Sequence, residues 1–251
     1  MKYSKYMNSI TDYKKLSSND IEFVDKLQNL DNVYMNQLSC FYKKKPYNIF
    51  ISSPYIKLTS NINKYFNKPN QTMPNKKPCF YIPIDDNNLD PDVIIFYDKL
   101  KEIDNYIKSE EFKVKYKIPL DYKYNSFIKN SDNSKYSDYI ITRLDTDLNN
   151  NITVNLYNDF TYKNNPNKIY KNKIVVNTVS DIFDLATVNS SVKLIIQPQK
   201  VWIAKGPKMY GLTLKTHNIE VNNLKNKKTV DFLLLDENDF VFNEQNFIHV
   251  L

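Results

Sequence analysis

Glycine is almost absent from this chain: Gly206 and Gly211 are the only two among 251 residues. That excludes a glycine-rich phosphate loop, which needs several backbone positions free of side chains. Cysteine is equally scarce. Cys40 and Cys79 have no Cys or His neighbours at metal-ligand spacing, so neither a disulfide framework nor a thiolate zinc site is expected and both read as ordinary thiols. The two histidines, His217 and His249, have no acid at motif spacing and read as structural. No apolar run approaches the ~18–20 residues that cross a bilayer. The opening MKYSKYMNSITDYKK has no apolar signal-peptide core, so the expectation is an intracellular protein without a membrane partner.

What the chain does have is aromatic and charged. A hydrophobic fraction of 41% and an aromatic fraction of 14% supply enough burial to offset chain entropy, so the chain should fold. Basic residues outnumber acids 35 to 28, and Arg143 is the one basic residue that is not lysine. Enrichment in Asn, Lys, Ile and Tyr is what AT-rich coding imposes, so part of this basicity is codon drift. Its distribution is uneven. Five acids and no basic residue follow Thr229, which leaves 23 acids against all 35 basic residues in the rest, a balance of +12. A basic body attracts polyanions, and an acidic end can compete for the same surface.

Along the chain, Ile21, Val24, Leu27 and Leu30 recur every three residues behind a Ser/Asn cap, which predicts a modest helix in an N-terminal extension over residues 1–45. YNIFISSPYIKLTSNI reads as strand, KPNQTMPNKKP as loop and CFYIPI as strand. Asp90 as N-cap and Pro91 at the first helical position open the clearest helix. Its apolar face is Val93, Phe96, Tyr97, Leu100, Ile103 and Ile107, with Lys99, Glu102, Asp104 and Lys108 turned toward solvent. A polar, tyrosine-dotted segment runs from Tyr116 to Asp138. DYIITRLD and NITVNLY then read as strands, YKNNPNKIYKNK as loop, VSDIFDLA as a short helix, and VKLIIQPQKVWIA and KMYGLTLKTHNIEV as two long strands. Six or seven strands with two or three inserted helices predict a mainly β (α+β) fold, an antiparallel barrel or sandwich spanning 46–235, followed by an acidic segment over 236–251.

Both glycines fall in KVWIAKGPKMYGLTL. Gly206 suits a hairpin turn between the two long strands, and Gly211 marks a bulge, a bend or the close approach of another backbone. Around this hairpin stand Lys200, Trp202, Lys205, Lys208, Tyr210 and Lys215, and period two places Lys200, Trp202 and Ala204 on one face. An aromatic flanked by lysines can stack a base while the amines hold phosphates. A lone strand tryptophan often fills a core instead, which makes Tyr210 the better stacking candidate. Lys113, Lys115, Tyr116, Lys117, Tyr122, Lys123 and Tyr124 form a second candidate surface, and Arg143 is a further nucleic-acid-binding candidate.

Residues 174–221, KIVVNTVSDIFDLA followed by SSVKLIIQPQKVWIAKGPKMYGLTLKTHNIEV, resemble the last strands of the OB-fold single-stranded-DNA-binding proteins of nucleocytoplasmic large DNA viruses, in their poxviral and phage-like branches. There a hydrophobic strand ends in an aromatic, passes a basic turn and returns through an aromatic-Gly-Leu segment. The resemblance implies an OB-like barrel and sequence-independent binding of single-stranded DNA, with RNA as an alternative ligand. It further implies a role in replication, recombination or repair without a cofactor, in a viral factory of the host cytoplasm. An acidic tail that recruits replication proteins is implied too, here Asp236, Glu237, Asp239, Phe240, Glu244 and Phe247, although its aromatics depart from a purely acidic tail. Self-association of the chain is compatible with this.

Catalytic signals are weak. The paired acids Asp85-Asp86 and Asp145/Asp147 could hold Mg²⁺ for nuclease chemistry, but both lie in Asn/Asp-rich turns, where carboxylates commonly accept from backbone N–H groups. A binding protein is expected rather than an enzyme. The alternative is a viral structural or assembly protein whose β domain contacts other proteins.

Overall fold

The computed structural model describes residues 9–18, 21–25, 35–42, 49–59, 78–84, 90–130, 138–147, 151–162, 165–176, 178–183, 185 and 189–222. In chain order the strands are β1 (Ser9–Asp12), β2 (Ile21–Asp25), β3 (Met35–Tyr42), β4 (Ile49–Ser52), β5 (Ile56–Lys57), β6 (Cys79–Ile84), β7 (Lys123–Tyr124), β8 (Ile128–Lys129), β9 (Asp138–Leu144), β10 (Asn155–Tyr162), β11 (Asn165–Ile174), β12 (Ser191–Ala204) and β13 (Met209–Asn222). The helices are α1 (Pro91–Lys108), α2 (Glu110–Lys115) and α3 (Ser180–Phe183). None among the described residues is long and apolar enough to cross a membrane.

The spine is the β12–β13 hairpin, fourteen residues to each strand. At their length, roughly 3.3 Å per residue, each strand can serve three partners in succession. β12 takes β3 near the turn, β4 in the middle and β5 at the far end. β13 takes β7, β9 and β10 in the same order, all parallel to it. β6 and β8 extend the sheet from β9, and β11 extends it from β10. Two register shifts in β12, at Ile195/Ile196 and Pro198/Lys200, reset its alternation; a bulge is where a strand tolerates proline, which has no N–H for the ladder.

The chain is mainly β, as expected, but the sheet is open and mixed, not a closed antiparallel barrel. The three parallel neighbours of β13 and the parallel β1–β4 pair account for the mixture. Two segments also take the other secondary structure. Ile21–Asp25 is a strand paired with β3, not the start of a helix, and it buries Ile21 and Phe23 at period two. The expected loop over 162–173 is largely β11.

One face of the sheet, the inner face, carries Leu194, Ile196, Val201, Tyr210, Leu212, Leu214 and Ile219 and shares one core with the apolar stripe of α1. The N-terminus of α1 forms as its sequence predicts, with the Asp90 carboxylate accepting from Asp92 N–H at 2.9 Å. Its end is set by Ser109, whose hydroxyl donates to the Tyr106 carbonyl at 2.7 Å and accepts from Phe112 N–H at 3.1 Å, closing one helix and capping the next. The α2 helix ends on Lys117 at φ 54°, with Ile118 N–H bonded back to the Lys113 carbonyl, the geometry of a Schellman cap. Against expectation, Asp104 faces the core and is 7% exposed. Its carboxylate accepts from Tyr124 Oη at 2.7 Å, Ser126 Oγ at 2.8 Å and Phe127 N–H at 3.3 Å.

Replacing one carboxylate oxygen by an amide sets an N–H₂ against groups that now donate, so Asp104→Asn should lower stability by about 2 kcal/mol, read as a lower denaturation midpoint at unchanged slope.

Candidate nucleic-acid interface

Strand alternation puts one set of side chains on the face opposite α1, the outer face. From β12 and β13 come Lys193, Gln197, Lys200, Trp202, Thr213, Lys215 and His217, and from β9 come Tyr139 and Arg143. Cross-strand register brings these together: Trp202 opposes Gly211, Lys200 opposes Thr213, Gln197 opposes Lys215, and Arg143 lies beside Lys215 in the parallel pair. Tyr81 of β6 joins Tyr139 with ring centroids 5.3 Å apart. Lys129 opposes Tyr139 and reaches Asn125 Oδ1 at 2.6 Å. Toward the far end of the hairpin, the Lys193 ammonium stands 5.8 Å from the centre of the Tyr55 ring. Half-buried aromatics interleaved with cations therefore run along the hairpin.

Trp202 is part of this surface because Gly211 has no side chain. A Cβ at Gly211 would meet the Trp202 ring at 2.7 Å and the Asn125 carbonyl oxygen at 2.7 Å. Close approach, one of the roles expected of this glycine, is the one observed, and the indole lies half-exposed over the bare backbone. Gly206 lies in the turn between β12 and β13, as expected, but its backbone does not demand glycine. It has no positive φ and open space around its missing Cβ; the left-handed residue of the turn is Lys208, at φ 49°.

The predicted site residues divide between the two faces. Lys200, Trp202, Arg143 and Lys215 gather on the outer face, and Lys123, opposite Met209, points the same way. Lys205 and Lys208 are exposed at the hairpin tip, where Lys208 is paired with Asp121 at 2.8 Å. The tyrosines of the second candidate surface belong to the helix side. Tyr210 is fully buried, its hydroxyl donating to the Ile107 carbonyl at 3.0 Å near the end of α1, and burial pushes its pKa up to about 12. Tyr124 sits against it, and burial together with the Asp104 charge drives its pKa far above the usual phenol range. Tyr116 packs on Phe112 and Phe23 while accepting from Phe23 N–H at 3.2 Å, and Tyr122 is packed against the core. Lys113 donates to the carbonyls of Leu120 and Tyr122 at 2.9 Å each, and Lys115 reaches the Tyr106 hydroxyl at 3.3 Å. Tyr116, Tyr124 and Tyr210 are thus structural rather than stacking platforms. The tail residues Asp236, Glu237, Asp239, Phe240, Glu244 and Phe247 lie outside the described residues, as do Asp85, Asp86 and His249.

Tyr81, Tyr139, Lys129 and Lys193 escape a search for lysine-aromatic runs because they come from separate strands. The alternation within CFYIPI and DYIITRL is the signal that assigns the first two to a face.

His217 has the acidic neighbour that motif spacing did not show. Its Nδ1 lies 2.9 Å from Asp145 Oδ2, its Nε2 lies 2.7 Å from Gln197 Oε1, and its ring packs edge-on against Phe50. Asp145 also pairs with Lys215, while Asp147 accepts from Asn151 N–H at 2.8 Å. These two acids are engaged as ion-pair and turn partners. Among the described residues no three His, Cys, Asp or Glu side chains come together to hold a metal ion. The sequence matches no protein-family model and no curated protein.

Burial lowers the pKa of His217 below its ordinary 6.5, against the opposing pull of Asp145 and aided by Lys215. The stability this provides is complete above about pH 6.5 and is lost as pH falls through the lowered folded value, because the unfolded chain takes up the proton first. The denaturation midpoint of the wild type should therefore fall between pH 7.5 and pH 5 by more than that of His217→Asn. Gly211→Ala should cost roughly 1–3 kcal/mol by overpacking. Since Trp202 is the one tryptophan in the chain, the displaced ring would report itself as a red-shifted emission maximum.

Proposed function

We propose that the outer face binds single-stranded nucleic acid without sequence preference, DNA in the first instance. The observation that carries this is the half-exposed Trp202 over Gly211, bordered on neighbouring strands by Lys200, Lys215 and Arg143. Every base has a π-face to stack on an indole or phenol, and cations beside it neutralise phosphates, so such a surface holds a strand irrespective of sequence. Lys193 beside Tyr55 and Arg143 beside the Tyr81–Tyr139 pair repeat the combination along the hairpin. The +12 balance of residues 1–228 favours the same ligand. The role is binding without a chemical step. On the resemblance of residues 174–221, we assign it to the coating of strands exposed in viral replication, recombination or repair, with the acidic tail as competitor for the face and as contact for replication proteins.

The division of the predicted residues between two faces favours a second reading, a β domain that contacts protein. Fluorescence anisotropy separates the two. The full chain should bind a labelled oligo-dT 30-mer more tightly than its duplex, with affinity falling steeply as salt rises. Trp202→Ala should cost about 1–3 kcal/mol, Arg143→Ala should weaken binding and flatten the salt slope, and Lys115→Ala on the helix side should change little. Equal binding to strand and duplex, or none at low salt, leaves the protein-contact reading.

A further inference from the structure

Thr213 stands in the middle of the outer face and is 5% exposed, yet among the described residues its Oγ1 finds no hydrogen-bond partner. A buried hydroxyl in that state is disfavoured, because it has lost water and gained nothing in exchange. Its surroundings are specific. Lys200 opposes it across the hairpin, Gly211 and Lys215 flank it two positions away on its own strand, and Arg143 borders Lys215. Asp145 pairs with Lys215. His217, next in line beyond Lys215, is kept from charging by burial.

We infer that Thr213 is the base of a phosphate socket. Its hydroxyl donates to a phosphoryl oxygen held by Lys200, Lys215 and Arg143, with the base of the same nucleotide on Trp202. The inference rests on the outer face being the nucleic-acid surface and adds the point at which the backbone is gripped. A phosphate supplies the acceptor that the unpartnered O–H lacks and a negative charge beside Lys200, Lys215 and Arg143. Lys200 and Lys215 are the charged neighbours of Thr213 on this face by register, and a phosphate reaches the hydroxyl as their side chains turn aside. The hydroxyl donor is neutral and short, and therefore works only at a fixed position. The lysines attract any anion, whereas Thr213 selects one seated at the sheet.

The test compares Thr213→Val, which keeps the shape and removes the hydroxyl, with Thr213→Ser, which restores it. Thermal melting is followed with inorganic phosphate against chloride at matched ionic strength, and anisotropy with oligo-dT carrying no terminal phosphate. Thr213→Val should melt at or above the wild type without ligand, lose the phosphate-induced rise, and bind the strand about tenfold more weakly; Thr213→Ser should recover both responses. A Thr213→Val protein that melts lower without ligand, or that responds to phosphate and strand as the wild type does, overturns the socket. A phosphate response that depends on Thr213 without any strand binding keeps the socket and removes the nucleic-acid reading. Strand binding that Thr213→Val leaves intact does the reverse.

Discussion

Asp104 brings a negative charge under the sheet, and what holds it there is one short stretch of chain. A buried carboxylate is tolerable only when its lone pairs are met by donors, and Tyr124, Ser126 and Phe127 supply them within four residues. That requirement fixes segment 124–127 against α1. Asn125 lies within it, with its N–H on the Tyr210 carbonyl at 2.7 Å and its own carbonyl oxygen against the backbone at Gly211. The close approach leaves no room for a Cβ, and the absence of a Cβ is what lets the Trp202 ring lie down. One buried anion thereby determines the posture of an indole on the far side of the sheet.

The same logic divides the aromatic residues. Tyrosines facing α1 find fixed partners for their hydroxyls, a carboxylate for Tyr124 and a carbonyl near a helix end for Tyr210, and become core. Those on the outer face lie among lysines and an arginine and stay half-exposed. Among the described residues, two acids of that face are engaged: Asp145 by Lys215 and His217, Glu220 by Lys171 at 2.7 Å and by the Tyr55 hydroxyl. Lys200, Lys215 and Arg143 thus stand together on a face where these two carboxylates are engaged at close range.

Local features were legible in the sequence; long-range ones were not. Asp90-Pro91 and the apolar stripe of α1 announce a helix through interactions within a few residues, and the Lys205–Lys208 turn joins two strands whose alternation is long enough to show. Ile21, Val24, Leu27 and Leu30 mimic helical spacing, but pairing with β3 decides the conformation of Ile21–Asp25, and no local count includes that partner. The fate of Tyr210 turns on Ile107, 103 residues away, and that of Asp104 on Tyr124, 20 residues away. Lys200 and Trp202 show on one face because their strand has a clear period, and Lys215 and Arg143 meet them there in the fold. Their juxtaposition depends on β9 running parallel to β13, which sequence spacing does not encode.

Lys117, Asn189 and Lys208 are the described residues with left-handed backbone, at φ 54°, 71° and 49°, and neither glycine is among them. A side chain in that region costs about 1–2 kcal/mol relative to a residue free to adopt it. The scarcity of glycine thus leaves its mark on the energetics of this chain, at a helix end and at the spine's own turn. The burial of the hairpin core has to outweigh that strain as well as chain entropy. Seen this way the protein is not near its stability ceiling: Lys117 and Lys208 hold back margin that glycine at the same φ would release.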